Sequence, residues 1–134
     1  MRLRSGQSLL ELALCAPVVV LLALGVAAVV QLQDAAAGLD AATRAAAEIA
    51  SRAPDPGIAD TAAHARFADV VSAYPLRGAV LRISFGNFNR SADLTATSEA
   101  TVDVSWAGLV LPSQFRIRSQ AVVRLEPWRT HRSA

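Results

Sequence analysis

The chain has 134 residues but one cysteine, two histidines, one tyrosine and no lysine. The lone Cys15 leaves no internal disulfide and no thiolate metal cluster to build. Its place in an apolar run marks it as a small apolar residue, with an intermolecular disulfide as the minor alternative. His64 and His131 are the only imidazoles. Neither has a second His, Cys or carboxylate at ligand spacing, so His64 reads as an ordinary helix residue and no metal is expected. His131 falls in the stretch Trp128 to Ala134, which reads as a loose end. The patterns G-x-S-x-G, P-loop, paired cysteines and H-E-x-x-H are all missing. The acidic residues scatter over helix and strand faces, so no catalytic residue, no cofactor and no enzyme activity are expected. Arginine supplies all 13 basic residues against 11 acidic ones. A net charge of +2, with no basic stripe interleaved with aromatics, does not point to a nucleic-acid partner.

What is abundant is alanine, and apolar length near the N-terminus. From Leu12 to Val30 the chain runs without a charge. At about 1.5 Å per residue this covers roughly 30 Å, the thickness of a bilayer's hydrocarbon core. Arg2 and Arg4 precede the run, Glu11 sits where it begins, and Asp34 and Asp40 follow it. One reading is a secretory signal peptide cut near Ala36, within Ala35-Ala36-Ala37-Gly38. The other is a retained anchor with its N-terminus in the cytoplasm by the positive-inside rule. The run is longer than a usual signal core, and Glu11 at its start fits the signal peptide poorly. Glu11 either lies in the headgroup zone or is a functional intramembrane carboxylate. Pro17 removes a backbone donor inside the run and can kink the helix, which membrane helices tolerate. Ala23 and Ala27 form a small-xxx-small pair, a pattern common by chance in so alanine-rich a stretch.

The helix is expected to continue beyond the run, since Gln31 to Ala53 is rich in the best helix former. Leu32, Leu39, Ala46 and Ala53 fall seven apart, with Ala35, Ala42 and Ile49 on the alternate seam. Asp40 and Arg44, and Glu48 and Arg52, are favourable pairs four apart off that seam. The seam fits a helix packed on its own domain or on copies of itself. From Leu9 to Arg52 such a helix is about 65 Å long. Pro54-Asp55-Pro56-Gly57 ends it. Asp60 is expected to cap a second helix that runs through about Tyr74, burying Ala63, Phe67, Val70, Val71 and Tyr74 before Pro75.

The remainder, roughly 100 residues when the apolar start is set aside, supports a modest core. Leu81, Ile83 and Phe85 alternate with Arg82 and Ser84, and Gly86 to Ser91 reads as a turn. Ala96, Ser98, Ala100, Val102, Val104 and Trp106 share one face of the next segment; Thr95, Thr97, Glu99, Thr101, Asp103 and Ser105 share the other. Phe115, Ile117, Ala121, Val123 and Leu125 alternate with Arg116, Arg118, Gln120 and Arg124. A period of two with one wet face predicts a three- or four-stranded antiparallel sheet covered by the two helices, an α+β fold. The connector Leu109-Val110-Leu111-Pro112 is apolar for a loop and reads as core edge in preference to a partner surface. Asn89-Arg90-Ser91 matches a glycosylation sequon, a pattern short enough to arise by chance.

Gly6, the four residues Gln7-Ser8-Leu9-Leu10, then Glu11 and an apolar helix resemble the class III signal of type IV pilin precursors. Within that group, Gly6 to Ala13 with Pro17 resembles the TadE-like proteins of the tight-adherence (Flp) pilus system. These share a Gly-Gln-Ser/Ala-x-x-Glu-Phe-Ala opening and a proline several residues later; Leu12 stands where an aromatic is usual. The ending Ala121 to Glu126 also resembles theirs, with Arg124-Leu125-Glu126 closing an alternating strand. The resemblance implies a pilin-like fold divided into a leader (1–6), a transmembrane helix (7–30) and an extracytoplasmic α+β domain (31–134). It implies cleavage between Gly6 and Gln7 by a membrane prepilin peptidase, and pairing of the new amine at Gln7 with Glu11 of a neighbouring subunit. Loss of Arg2 and Arg4 would leave 11 basic against 11 acidic side chains. The implied partners are the peptidase, other pilin subunits, and an assembly platform with its ATPase. The implied role is a single-pass minor pilin or pseudopilin. The alternative reading is a signal-anchored or secreted extracytoplasmic binding domain with no part in assembly.

Overall fold

The computed structural model describes residues 2–86, 93–109 and 111–125. The turn expected over 87–91 with its sequon, Glu126, and the tail that carries His131 lie outside the described residues. One helix dominates. α1 runs from Arg2 to Arg52, 51 residues, about 75 Å at the helical rise, and it continues through Pro17. α2 spans Pro56–Val71, and three strands follow: β1, Arg77–Ser84; β2, Asp93–Asp103; β3, Gln114–Arg124. They form an antiparallel meander in the order β1-β2-β3. The expected α+β class holds, with three strands.

The C-terminal half of α1 and the whole of α2 form one layer, and the sheet forms the other. α1 buries Ala28, Ala35, Leu39, Ala42, Ala46 and Ala50, residues three, four or seven apart. The seam read from the sequence therefore faces the helix's own domain. Its small side chains let α2 and the sheet approach closely. α2 contributes Ala59, Ala63 and Phe67, and the sheet contributes Leu81, Leu94, Ala96 and Ala100. Val70, Val71 and Tyr74 are only half-buried, and Tyr74 lies beyond the helix end.

Three local expectations change. Asp55, not Asp60, caps α2: its Oδ1 accepts the Ile58 N–H at 2.9 Å. Pro56 occupies the first turn, where a missing N–H costs nothing. Pro-Asp-Pro-Gly thus starts a helix as well as ending one. Second, β2 stops at Asp103, and Trp106 leaves the dry face. Val104 is still buried, but the chain then turns into a short 3-10 helix, Ser105–Ala107. Third, Leu109 does not pack as core edge; it is 91% exposed.

Two close contacts fix the layers. A Cβ built on Gly38 would lie closer to the ring of Tyr74 than van der Waals contact allows, so the glycine is the seat on which the segment after α2 rests. Thr43 Oγ1 donates to Leu39 O at 2.7 Å, which uses its one proton. The Ser98 hydroxyl, 2.5 Å away and buried, therefore donates to Thr43 and ties β2 to α1. His64 adds a tie between α2 and β1. Nδ1 lies 2.8 Å from Asp60 O, and Nε2 lies 3.2 Å from Leu81 O. On the wet face Arg118 pairs with Glu99, and Arg124 with Asp93. These exposed pairs add little stability.

Two substitutions test this packing in the full chain held in detergent. Gly38→Ala gains about 1 kcal/mol of helix propensity but overpacks Tyr74. The expected net result is a lower unfolding midpoint, because displacing a packed ring costs about 1–3 kcal/mol. Thr43→Val strands the Ser98 hydroxyl without an acceptor and costs about 1–3 kcal/mol. The double variant Thr43→Val/Ser98→Ala recovers most of that loss; a strictly additive double variant in denaturant unfolding would remove the coupling.

Candidate functional site

The first half of α1 has no cover from the domain. Gly6 to Ala23 are all exposed, among them Leu9, Leu10, Leu12, Leu14, Val18 and Leu22 at 56–67%. This is one helix long and apolar enough to cross a membrane, by length and composition. Cys15 is exposed on it.

The residues singled out in the sequence fall on this free half. Gly6 and Gln7 are helical, and a Cβ on Gly6 would meet nothing within 4 Å. Gln7 and Glu11 are one turn apart, so they lie on nearly the same face. Among the described residues, neither has a hydrogen-bond or ion-pair partner for its side chain. Glu11 is therefore an unpaired carboxylate at the head of an apolar cylinder. Pro17 lies six residues further on, and its missing N–H leaves the carbonyl of Ala13 without the helical partner it would otherwise have.

The other end of the run is built differently. Gln31 lies 20 residues beyond Glu11, about 30 Å along the axis. Its amide is used at both atoms: Nε2 donates to Asp103 O at 3.3 Å, and Oε1 accepts from Trp106 Nε1 at 2.9 Å. The Ser105 N–H donates to Asp103 Oδ1 at 2.9 Å and starts the 3-10 turn that presents Trp106. These hydrogen bonds to Ser105 hold the Asp103 carboxyl below its ordinary value, with a smaller contribution from the Arg77 guanidinium 3.4 Å away. Sequence reading missed this junction. Its signal was the Asp103-x-Ser105 spacing of an Asx turn.

Among the described residues no three His, Cys, Asp or Glu side chains gather as metal ligands. What the geometry offers is a bare apolar helix with one carboxylate, continuous with the helix that packs on a small domain. Residues 6–48 match the family model described as TadE-like protein. Over these residues the chain is TadE-like. The match covers most of α1 and about a third of the chain. The TadE-like segment includes Gly6, Gln7, Glu11 and Pro17, while α2, the sheet and the ending at Arg124 lie outside it. No curated protein and no solved structure matches the chain.

The stretch Ala35 to Gly38, where a signal-peptide cut would fall, lies inside α1. Ala35 and Gly38 are buried in the middle of α1, and residues on both sides of Ala36 pack on the same domain.

The Asp103 cap predicts a pH response. A carboxyl whose folded pKa is depressed contributes stability above its unfolded value and loses it as pH falls through the folded value. The 3-10 turn should thus stay ordered from neutral pH down to about 3.8, the ordinary carboxyl value, and loosen only below it. Hydrogen exchange at the Ser105 amide reports this. Asp103→Asn should weaken the protection at neutral pH and flatten its dependence on acid.

Proposed function

We propose that this chain is a TadE-like minor pilin or pseudopilin, processed by a prepilin peptidase and built into a tight-adherence pilus or its assembly machinery. The observation that carries this reading is the bare half of α1, a helix of membrane length with an unpaired carboxylate at Glu11. A simple anchor has no use for that charge. On insertion scales a central carboxylate costs about 2.5–3.5 kcal/mol, and less near the interface.

In this reading residues 1–6 are the leader, 7–30 the transmembrane helix and 31–134 the extracytoplasmic domain. Arg2 and Arg4 hold the N-terminus in the cytoplasm. The peptidase cuts between Gly6 and Gln7. A helical peptide bond must first unwind to enter an active site, and glycine makes the first turns easier to open by about 1 kcal/mol relative to alanine. Hydrolysis leaves a protonated amine on Gln7. That amine pairs with Glu11 of a neighbouring subunit, where low dielectric makes the pair selective for one axial register. Pro17 gives the span a flexible point for packing against other helices. An assembly platform with its ATPase lifts the subunit, and the bare face exchanges lipid for other pilin helices. The chain itself supplies structure and no catalysis.

The mass of the mature N-terminus tests the cut. A chain beginning at Gln7 supports the reading; an intact Met1 in cells with active peptidase sinks it. Gly6→Leu should abolish maturation. Glu11→Ala should be cut normally yet enter the assembly less. Breaking a buried pair costs about 3–5 kcal/mol, so incorporation should fall more than about tenfold. Normal incorporation of Glu11→Ala would remove the register role.

A further inference from the structure

The domain does not begin where the apolar run ends. The covered stripe of α1 starts at Leu24 and Gly25, which are half-buried, and Ala28 is fully buried. Val30 is the last residue of the run, so the overlap is seven residues, about 10 Å. The β2–β3 connection supplies the element at this height. Leu111 and the α1 residues Leu22, Gly25, Val26, Val29 and Val30 line one apolar groove. Leu109, two positions before Leu111, is 91% exposed, and Trp106 is 48% exposed with its indole N–H held by Gln31.

We propose that this connection is a membrane-inserted element, with Trp106, Leu109 and Leu111 embedded in the outer leaflet beside the transmembrane helix. The inference rests on the reading of α1 as a membrane anchor. Glu11 and Gln31 bracket about 30 Å of apolar helix, the thickness of the hydrocarbon core. A slab between those two residues contains the whole groove, and Leu111 with it. Trp106 then lies at the level of Gln31, the headgroup boundary where tryptophan concentrates. The depth, about 5–10 Å, is that of interfacial apolar segments.

The backbone fits the same environment. Within hydrocarbon an N–H without a partner costs several kcal/mol. In this connection Ala107 N–H donates to Val104 O, Gly108 N–H to Ser105 O and Leu111 N–H to Ala107 O, at 2.9–3.1 Å. Ser105 N–H is held by Asp103. Four N–H groups of the connection are thus satisfied within the fold. Lipid is favoured over a second copy of the chain because Leu111 shares its groove with span residues, so the lipid around the span reaches the connection as well.

Trp106 is its own probe once Trp128→Phe removes the other tryptophan. The full chain is reconstituted in phosphatidylcholine vesicles, with and without lipid brominated near the top of the acyl chain. Trp106 should emit at short wavelength and lose most of its emission to the brominated lipid. Leu109→Asp, at a position too exposed to matter for folding, should relieve that quenching with unchanged circular dichroism. Resistance to alkaline extraction checks the anchor separately. An extracted chain overturns the anchor and this inference together. An anchored chain with unquenched Trp106 overturns only the inserted connection. If copies carrying Leu109→Cys and Cys15→Ser crosslink while Trp106 stays unquenched, the surface belongs to a neighbouring copy and the proposal fails.

Discussion

The structure depends on one constraint: a single unbroken helix must satisfy two surroundings. From Gly6 to Ala23 α1 is clothed in Leu and Val and every residue is exposed. From Leu24 onward its covered face is mostly alanine and glycine. The two compositions answer different needs. A helix in lipid gains from bulk on every side, because each buried CH2 contributes about 0.8 kcal/mol. A helix that is also the spine of a small domain gains from closeness. Alanine lets α2 and the sheet dock along its length, and Gly38 makes room for Tyr74. Alanine also keeps the two halves continuous, since Ala35 to Ala37 follow the polar residues Gln31, Gln33 and Asp34 without inviting a break.

Polar groups divide along the same line. Beyond Val30 those close to the core are engaged. Gln31 uses both amide atoms, Asp40 pairs with Arg44 and accepts from Ser119, and Thr43 joins Ser98. No buried side-chain polar atom among the described residues lacks a partner. Glu11 is the contrast. A fold that satisfies a lone Ser98 hydroxyl leaves a carboxylate bare at the head of its most apolar surface. That asymmetry is what the proposed assembly role of Glu11 rests on, since the fold itself offers the carboxylate no partner among the described residues.

Periodicity made much of this legible. The seven-residue spacing of Leu32, Leu39 and Ala46 located the helix beyond the span, and period-two alternation located all three strands. It did not say what the seam faces, because small residues pack equally well on a copy or on the helix's own domain. The errors were local. Pro54 and Pro56 suggested only a stop, since the capping role of Asp55 depends on a side-chain hydrogen bond and not on a pattern. Alternation carried Trp106 onto the dry face, because a period-two count cannot see the Asp103 carboxylate turn the chain at Ser105. Gly38 read as part of a small-residue cleavage motif. Its role depends on Tyr74, 36 positions away, and no local signal connects them. The residues assigned to processing and register were found by motif resemblance. The fold adds that they are exposed and helical.

The rigid junction at Gln31 carries a mechanical consequence. If the helix were hinged there, a subunit could leave a membrane by sliding its span out while the domain stayed at the surface. The Gln31 contacts to Asp103 and Trp106, and the burial of Ala28 and Ala35, prevent that. Span and domain share one continuous helix. With the β2–β3 connection in the outer leaflet, raising the helix also lifts Leu109 and Leu111 out of lipid, and the apolar surface to be re-covered grows. A filament that covers only the helix would leave those two side chains in water. In the proposed assembly, neighbouring subunits would have to cover the foot of the domain as well as the span, and the groove beside Gly25 is where a neighbouring helix would replace lipid. Under that proposal extraction and docking would be coupled by one surface, first held by the bilayer and then by the assembly.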